Sequence, residues 1–301
     1  MTNPNDTRRV KSTAILYAIL AAVFYALNTP VSKLLLDSVP AAFMASFLYL
    51  GAGIGVGILY LFHFPKEKKS ERLTGADLPC TLGMIVLDIA APIFMMLGIR
   101  LGTASGASLL GNFEIVATAL IALLLFREAI SGKLWIAIGL ITVSGVLLSF
   151  GEGGSFDVSA GSLLVLLATV CWGLENNCTR KISGKSTYEI VTLKGVFSGL
   201  GAFVIALFTK EALPPIIYVP GAMLLGFVAY GLSIFTYIRA QRDLGAAKTS
   251  AFYAIAPFIG VLLAFLLVGE KPGRIYFVSL AVMLAGTAFA VWDTMTKDGG
   301  K

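Results

Sequence analysis

The chain has few charged residues, three cysteines and one histidine. Charged residues make up 13% of its 301 positions, against about 25% in soluble globular domains. A chain with so little charge cannot cover its own surface in water, which excludes a soluble globular protein. The cysteines and the histidine form no metal-ligand cluster and no disulfide framework, so we expect neither a metal site nor covalent cross-links.

Familiar catalytic and nucleotide-binding motifs are also missing. The sequence has no Walker phosphate loop, no GxSxG nucleophile elbow and no dinucleotide-binding fingerprint between a strand and a helix. Without a phosphate loop, we do not expect this chain to drive transport with ATP. An intramembrane enzyme would need a nucleophile–base pair or a metal constellation, and neither is visible. We therefore expect no enzymatic activity and no cofactor.

Apolar residues are abundant instead, and they fall into ten segments. The hydrophobic fraction is 57%, and each segment has about the 20-residue length that a helix needs to cross a bilayer. The segments cover residues 13–36, 41–64, 78–99, 103–126, 133–150, 160–180, 188–209, 217–239, 246–268 and 274–292. The sequence thus predicts an all-α integral membrane protein with ten transmembrane helices, surrounded by a lipid bilayer.

The basic residues predict how the chain is oriented in the membrane. If the N-terminus lies inside, seventeen lysines and arginines flank the inner ends of the spans and five flank the outer ends. Lysine and arginine are enriched in cytoplasmic loops. We therefore expect a multi-pass cell-membrane protein with both termini in the cytoplasm.

An internal repeat relates the two halves of the chain. Residues 20–33 align without gaps to residues 167–180, at an offset of 147, and the ends of spans four and nine match in the same order. Five spans in each half is an odd number, so the halves are expected to have opposite orientations. This predicts an N-terminal repeat over 1–153 (spans one to five) and a C-terminal repeat over 154–301 (spans six to ten). Such inverted repeats are typical of secondary transporters, which bind substrate near the membrane midplane.

Three carboxylates and one lysine lie deep within predicted spans. They are Asp88 in span three, Glu114 in span four, Glu175 in span six and Lys194 in span seven. Ionisable groups are costly in a bilayer, so each is a functional hypothesis, with hydrogen bonding to neighbouring helices as the alternative. The three carboxylates outnumber the single lysine. Their excess negative charge can be neutralised alternately by protons and by a cationic substrate. All three carboxylates are therefore candidates for proton coupling, with Glu175 first because it lies in the repeated segment.

The repeated segment also carries the candidate substrate-binding residues. Trp172, Glu175 and Asn176 lie on span six, and Tyr25 and Asn28 are their counterparts on span one. An aromatic ring beside a carboxylate suits an ammonium group, through cation–π contact and ion pairing. The alternative is that Tyr25 and Trp172 are aromatic residues of the membrane interface.

Spans four, eight and nine contribute further candidates. Ser108 and Asn112 share one face of span four, whereas Glu114 points about 200° away from Asn112 at about 100° per residue. The sequence does not decide which face lines a cavity. Tyr230 in span eight and Tyr253 in span nine are additional candidates for the cavity wall, with packing as the alternative.

Proline and glycine predict the shapes and contacts of the spans. Pro30, Pro92 and Pro257 lie inside spans and should kink or break the helices there. Closely spaced glycines predict faces on which helix backbones pack against each other. These glycines are Gly51, Gly53, Gly55, Gly57, Gly195 and Gly199.

Several motifs resemble those of a known family. Residues 172–181 (WGLENNCTRK), the Ala256-Pro257 pair and the sequence Gly269-Glu270-Lys271-Pro272 are similar to motifs of the EamA-like family of the drug/metabolite transporter superfamily. The resemblance covers nearly the whole chain. It implies ten helices in two inverted five-helix repeats, alternating access, and a central cavity lined by helices one, three, four, six, eight and nine.

One departure from the family concerns span four. Relatives often have a proline after the position of Glu114, where this chain has Ile115, while the second half keeps Ala256-Pro257. This departure predicts that span four is straighter than span nine.

Together, the buried carboxylates and the resemblance indicate a proton-coupled secondary transporter of small organic solutes. We expect a cationic or zwitterionic substrate, namely an amine, an amino acid or a related metabolite or drug, with export favoured over uptake. The alternatives are a quaternary-ammonium or choline-type uptake transporter, a sugar-nucleotide or sugar-phosphate transporter, and a structural membrane subunit. Nothing in the sequence indicates a nucleic-acid partner.

Overall fold

The architecture is helical throughout the part of the chain that the structure describes. The structure is a computed structural model, and it describes residues 4–64, 68–102, 104, 107, 110, 111, 113–151, 159–269 and 274–296. Across these residues there is no β-strand. The predicted all-α fold class is confirmed.

The helices follow the predicted spans in order. The α-helices are α1 (Pro4–Tyr25), α2 (Asn28–Leu35), α3 (Ala41–His63), α4 (Leu78–Leu101), α5 (Phe113–Leu124), α6 (Gly132–Gly151), α7 (Ala160–Ile182), α8 (Thr187–Phe208), α9 (Val219–Leu225), α10 (Ser233–Leu244), α11 (Ala246–Tyr253), α12 (Ala256–Val268) and α13 (Arg274–Thr296). A π-helical segment, Gly226–Leu232, joins α9 to α10. Spans one, eight and nine are therefore each built from more than one helical piece.

Among the residues that the structure describes, six helical stretches are long and apolar enough to cross a membrane. They are Ser12–Leu35, Ala41–His63, Lys69–Leu101, Thr187–Phe208, Ile216–Leu244 and Ala246–Val268, and shorter apolar helices lie at Phe113–Leu124, Gly132–Ser144 and Phe277–Ala290. Helix α7 is also long, but its C-terminal half carries Glu175, Asn176 and Asn177. The chain is thus a multi-pass membrane protein, and α7, which carries these polar residues, is not among the six stretches.

The helices of the two halves pack against each other in a reciprocal pattern. The most extensive pairings join α3 to α8, α4 to α7, α6 to α13 and α1 to α10. In terms of spans these are two with seven, three with six, five with ten and one with eight. Exchanging spans one to five with spans six to ten maps this set of pairings onto itself, as a two-fold relation between the halves would require. The predicted boundary at 153/154 lies outside the described residues and stays a prediction.

Glycines bring α3 and α8 into backbone contact. A Cβ atom placed on Gly53 would lie 2.7 Å from the carbonyl carbon of Gly195, and one placed on Gly195 would lie 2.8 Å from the carbonyl oxygen of Tyr49. Real Cβ atoms essentially never approach other atoms so closely. The predicted role of these glycines in helix packing is confirmed.

Replacing Gly195 with alanine should therefore lower the thermal stability of the protein. The added methyl group forces α3 and α8 apart, and such overpacking costs about 1–3 kcal/mol. The measurement is the midpoint of thermal unfolding in detergent, monitored by size-exclusion chromatography. Gly139→Ala on α6 is the matched control, because a Cβ there meets nothing within 4 Å. Equal unfolding midpoints for the two variants would contradict the proposed contact.

Candidate functional site

Two of the three proline positions coincide with breaks in a membrane span. Helix α1 ends at Tyr25 and α2 begins at Asn28, with Pro30 in its first turn. Helix α11 ends at Tyr253 and α12 begins at Ala256, directly before Pro257. The breaks predicted in spans one and nine are confirmed.

Pro92 behaves differently, because it lies inside the continuous helix α4. The sequence predicted a kink or a break at Pro92, and the structure shows no break there. Helix α4 packs extensively on α7 and also on α8. Neighbouring helices can support a proline within a transmembrane helix, which accounts for the uninterrupted α4.

Span four is interrupted as well, contrary to the sequence prediction that it is straighter than span nine. Gly111 lies in a turn directly upstream of α5, where the Glu114 amide N–H donates to the Gly111 carbonyl (3.0 Å). Glycine is a poor helix former, which favours a break at Gly111 without proline. Glu114 consequently lies in the first turn of α5. Ser108 and Asn112 lie outside the described residues, so their predicted role in the cavity stays a prediction.

Two adjoining cavities lie between these interruptions. Their volumes are about 30 and 50 Å³, and both are lined by Tyr25, Glu114, Trp172 and Tyr253. The larger cavity is also lined by Glu175, Asn176, Lys194, Tyr230 and other residues of spans two, six and eight. Pockets that hold drug-sized ligands have volumes of about 300–1,000 Å³. The two cavities are much smaller, so this conformation must open to admit a solute of that size.

Aromatic rings form one wall of these cavities. The Tyr25 ring lies 6.1 Å from that of Trp172, 5.7 Å from that of Tyr230 and 5.5 Å from that of Tyr253, measured between ring centroids. Asn28 is buried and donates through Nδ2 to the Tyr230 hydroxyl (3.3 Å). The structure therefore brings the predicted residues of spans one, six, eight and nine together.

Trp172 lies in the interior of the protein and not in an interfacial belt. It is 7% exposed, whereas the other two tryptophans, Trp135 and Trp292, are 37% and 52% exposed. Trp172 also makes an edge-to-face contact with Tyr25, at an interplanar angle of 88°. The interfacial alternative for this pair does not hold.

Three of the four deep ionisable residues form one buried cluster. Lys194 Nζ lies 2.9 Å from Asp88 Oδ2 and 2.8 Å from Glu175 Oε1. The Tyr49 hydroxyl donates to Asp88 Oδ1 (2.7 Å), and the Thr179 hydroxyl donates to Glu175 Oε1. We call Asp88, Lys194 and Glu175 the charged cluster. Sequence reasoning identified its members but not their pairing.

Glu114 lies outside the charged cluster and has a neutral partner. Its Oε1 accepts a hydrogen bond from Asn176 Nδ2 (2.7 Å), and the same amide group donates to the Thr118 hydroxyl (3.2 Å). Within the described part of the chain, Glu114 has no basic ion-pair partner. Of the three deep carboxylates, Asp88 and Glu175 share a lysine, and Glu114 is the one held by an amide.

A polar layer separates the central cavities from a larger vestibule. Asn177 Nδ2 donates to the Thr118 carbonyl (3.0 Å), and Gln241 Nε2 donates to the Asn176 carbonyl (3.0 Å). Asn176 lines a central cavity, whereas Asn177 lines the vestibule, whose volume is about 400 Å³.

The vestibule is lined by charged side chains of both signs. They are Glu128, Arg180, Lys181 and Asp243. Glu128 Oε2 accepts from the Ala246 N–H at the start of α11 (3.3 Å). Burial raises the pKa of the Glu128 carboxyl, and the Ala246 N–H partly offsets that effect.

The interrupted spans and the central cavities between them are typical of a membrane transporter, in which irregular backbone lines an internal cavity. The sequence profile of the EamA-like transporter family matches residues 12–150 and again residues 159–292. The chain therefore belongs to the EamA-like transporter family, within the drug/metabolite transporter superfamily.

Individual proteins resemble the chain over most of its length. An uncharacterized transporter of Methanothermobacter thermautotrophicus is 25% identical, over 91% of this chain and 85% of its own length. The uncharacterized transporter YyaM of Bacillus subtilis is 25% identical, over 71% of this chain and 73% of its own length. A crystal structure with a TM-score of 0.77 is 16% identical and covers 96% of this chain and 99% of its own, which supports the fold alone.

Proposed function

We propose that the protein is a proton-coupled secondary transporter that exports a small organic amine or amino acid. The observation that carries the proposal is the environment of Glu114. This carboxylate lines both central cavities together with Tyr25, Trp172 and Tyr253, and an amide is its hydrogen-bond partner. A substrate ammonium would pair with Glu114 and face the aromatic rings, where cation–π contacts add to the ion pair.

The charge of the site supports coupling to protons. The charged cluster combines one ammonium with two carboxylates, and Glu114 adds a third carboxylate nearby. Uncompensated negative charge is costly in a site that excludes water. A proton or a substrate ammonium can neutralise Glu114, but not both at once. Their competition would couple the movement of substrate in one direction to the movement of protons in the other.

The proposed direction is export. If the termini are cytoplasmic, as the basic residues predict, the vestibule beside Arg180 and Lys181 lies at the inner ends of the helices. A cytoplasmic solute would then enter this vestibule and reach Glu114 past the hydrogen-bonded side chains of Asn176 and Asn177. We further propose that residues 1–153 and 154–301 are inverted repeats that alternate access to the cavity.

The orientation has its own test. A fluorescent protein that matures only in the cytoplasm, fused to the C-terminus, should fluoresce, whereas an alkaline phosphatase fused at the same place should be inactive. The reverse pattern would place the termini outside and turn the vestibule toward the other side of the membrane.

The environments of Lys194 and Lys33 disfavour an anionic substrate. Lys194 is neutralised by two carboxylates, and Lys33 Nζ donates to the carbonyls of Ile99 (3.0 Å) and Gly102 (2.7 Å) at the end of α4. A sugar phosphate or sugar nucleotide would need cations that are available to its phosphates. A structural subunit, in turn, would have no use for buried carboxylates around a cavity.

Transport by the purified protein in liposomes tests the proposal. We expect an imposed pH gradient to drive accumulation of a protonated monoamine or a neutral amino acid, and a protonophore to abolish it. Protein-free liposomes give the background. A quaternary ammonium ion and a sugar phosphate complete the panel. Transport of the sugar phosphate alone would overturn the proposal, and gradient-independent uptake of the quaternary ion would favour the choline-type alternative.

A further inference from the structure

The charged cluster places a lysine where a substrate cation could bind. Lys194 Nζ contacts Asp88 and Glu175 at 2.9 and 2.8 Å, and these residues lie on α8, α4 and α7. Glu175 and Lys194 line the larger central cavity, whereas Asp88 is fully buried behind them. Glu175 is thus a cavity carboxylate that already holds an ammonium group of the protein itself.

We propose that Lys194 acts as a tethered cation that occupies Glu175 and thereby limits the substrate to a single positive charge. Lys194 would be a specificity-determining residue, and Glu114 would be the carboxylate left for the substrate. This inference rests on the proposed function of the cavity as an ammonium-binding site.

Asp88 explains why the lysine stays in place. It is 0% exposed, with one carboxylate oxygen bonded to the Tyr49 hydroxyl (2.7 Å) and the other paired with Lys194. A buried carboxylate without a partner is strongly unfavourable, so Asp88 keeps the ammonium of Lys194 charged and close. Glu175 accepts from Lys194 and from Thr179 through the same oxygen, Oε1. Asp88 is therefore the fixed counter-ion, and Glu175 is the carboxylate that the lysine takes from the cavity.

Glu114 and Glu175 lie close enough to serve one ligand. Both line the larger cavity, and Asn176, the residue after Glu175, donates directly to Glu114 (2.7 Å). Without Lys194, the cavity would present two carboxylates to a solute, which suits a short diamine. With Lys194, the second ammonium of a diamine would have to displace a cation held by two carboxylates. The site would therefore select monoamines over diamines, because Lys194 occupies the position that the second ammonium of a diamine needs.

The double variant Asp88→Asn/Lys194→Met tests this inference. It removes the ammonium and its fixed counter-ion together, so the net charge of the cluster is unchanged. We measure binding of butylamine and diaminobutane to the purified protein by titration calorimetry. The wild type should bind butylamine and bind diaminobutane no more tightly. The double variant should bind diaminobutane at least about tenfold more tightly than the wild type does, as expected for one added close charge pair.

Further variants separate this mechanism from a general loosening of the site. Glu175→Gln added to the double variant should remove the gained affinity for diaminobutane. Lys194→Arg keeps a cation on Glu175, so it should keep the discrimination against diaminobutane. Asp88→Asn/Lys194→Gln, in which two amides can hydrogen-bond to each other, replaces the first double variant if that one does not fold.

The outcomes distinguish the two proposals. If the wild type binds neither amine, the proposed function fails and this inference fails with it. If the wild type binds butylamine but neither folded double variant gains affinity for diaminobutane, the role of Lys194 is wrong and the Glu114 site stands. A gain that persists after Glu175→Gln, or that also appears in Lys194→Arg, would likewise overturn the tethered-cation role.

Discussion

Replacing Glu114 with glutamine should reduce pH-driven substrate transport by about 100-fold. The amide keeps the size of the side chain and can still contact Asn176, but it can neither exchange a proton nor pair with an ammonium group. Removing one partner of a buried charge pair costs about 2–5 kcal/mol, which corresponds to a loss of about 30-fold to about 4,000-fold. The measurement is the initial rate of amine or amino-acid accumulation in liposomes at a fixed pH gradient.

Glu211→Gln is the matched control for this substitution. The Glu211 carboxylate accepts from the Ala42 N–H (3.0 Å) and the Phe43 N–H (3.1 Å) at the start of α3, away from the central cavities. The Glu211→Gln variant can lose about 1 kcal/mol of folding stability, because its helix cap is weaker, and should still couple transport to protons. If Glu114→Gln transported as fast as Glu211→Gln, with the same dependence on the pH gradient, the coupling role would belong to another carboxylate, and Glu175 would be the next to test.

Replacing Lys194 with methionine should destabilise the protein severely. The substitution leaves Asp88 and Glu175 buried without their shared counter-ion, and breaking a buried pair in this way costs about 3–5 kcal/mol. Adding Asp88→Asn should restore much of the lost stability, because it removes one of the two orphaned charges. The midpoint of thermal unfolding in detergent and the yield of monodisperse protein measure both effects.

Lys185→Met is the control for the lysine itself. Lys185 lies 3.6 Å from Asp77, and the two side chains are 27% and 17% exposed, so this surface pair should contribute at most about 1 kcal/mol. If the two variants Lys194→Met and Lys185→Met were equally stable, the charged cluster would not hold α4, α7 and α8 together. A failure of Asp88→Asn to rescue Lys194→Met would assign the loss to packing and not to charge.

The positions of the spans were predictable because a bilayer imposes a length on apolar runs. Helix α7 was found among them although it carries Glu175, Asn176 and Asn177, since its remaining residues keep the apolar pattern. The breaks near Pro30 and Pro257 were predictable because proline removes a backbone donor. The turn at Gly111 was not, because glycine within a span serves close helix packing equally well.

The candidate site was predictable in its members but not in its arrangement. Asp88, Glu114, Glu175 and Lys194 stand out because charge inside a membrane is costly. Which carboxylates share the lysine depends on how three helices rotate against one another, and no local pattern contains that information. Tyr49 was missed altogether, since it lies in an apolar run where a tyrosine carries no signal of its hydrogen bond to Asp88.

The distribution of the tryptophans gives the molecule an optical reporter of its own. Trp172 is enclosed at the cavity wall, whereas Trp135 and Trp292 are on the outer surface. With phenylalanine at the two outer positions, the indole emission of the protein would come from the cavity wall alone. Entry of water or solute would change the polarity around that single indole. Opening of the cavity would then be visible in the emission spectrum, without any attached label.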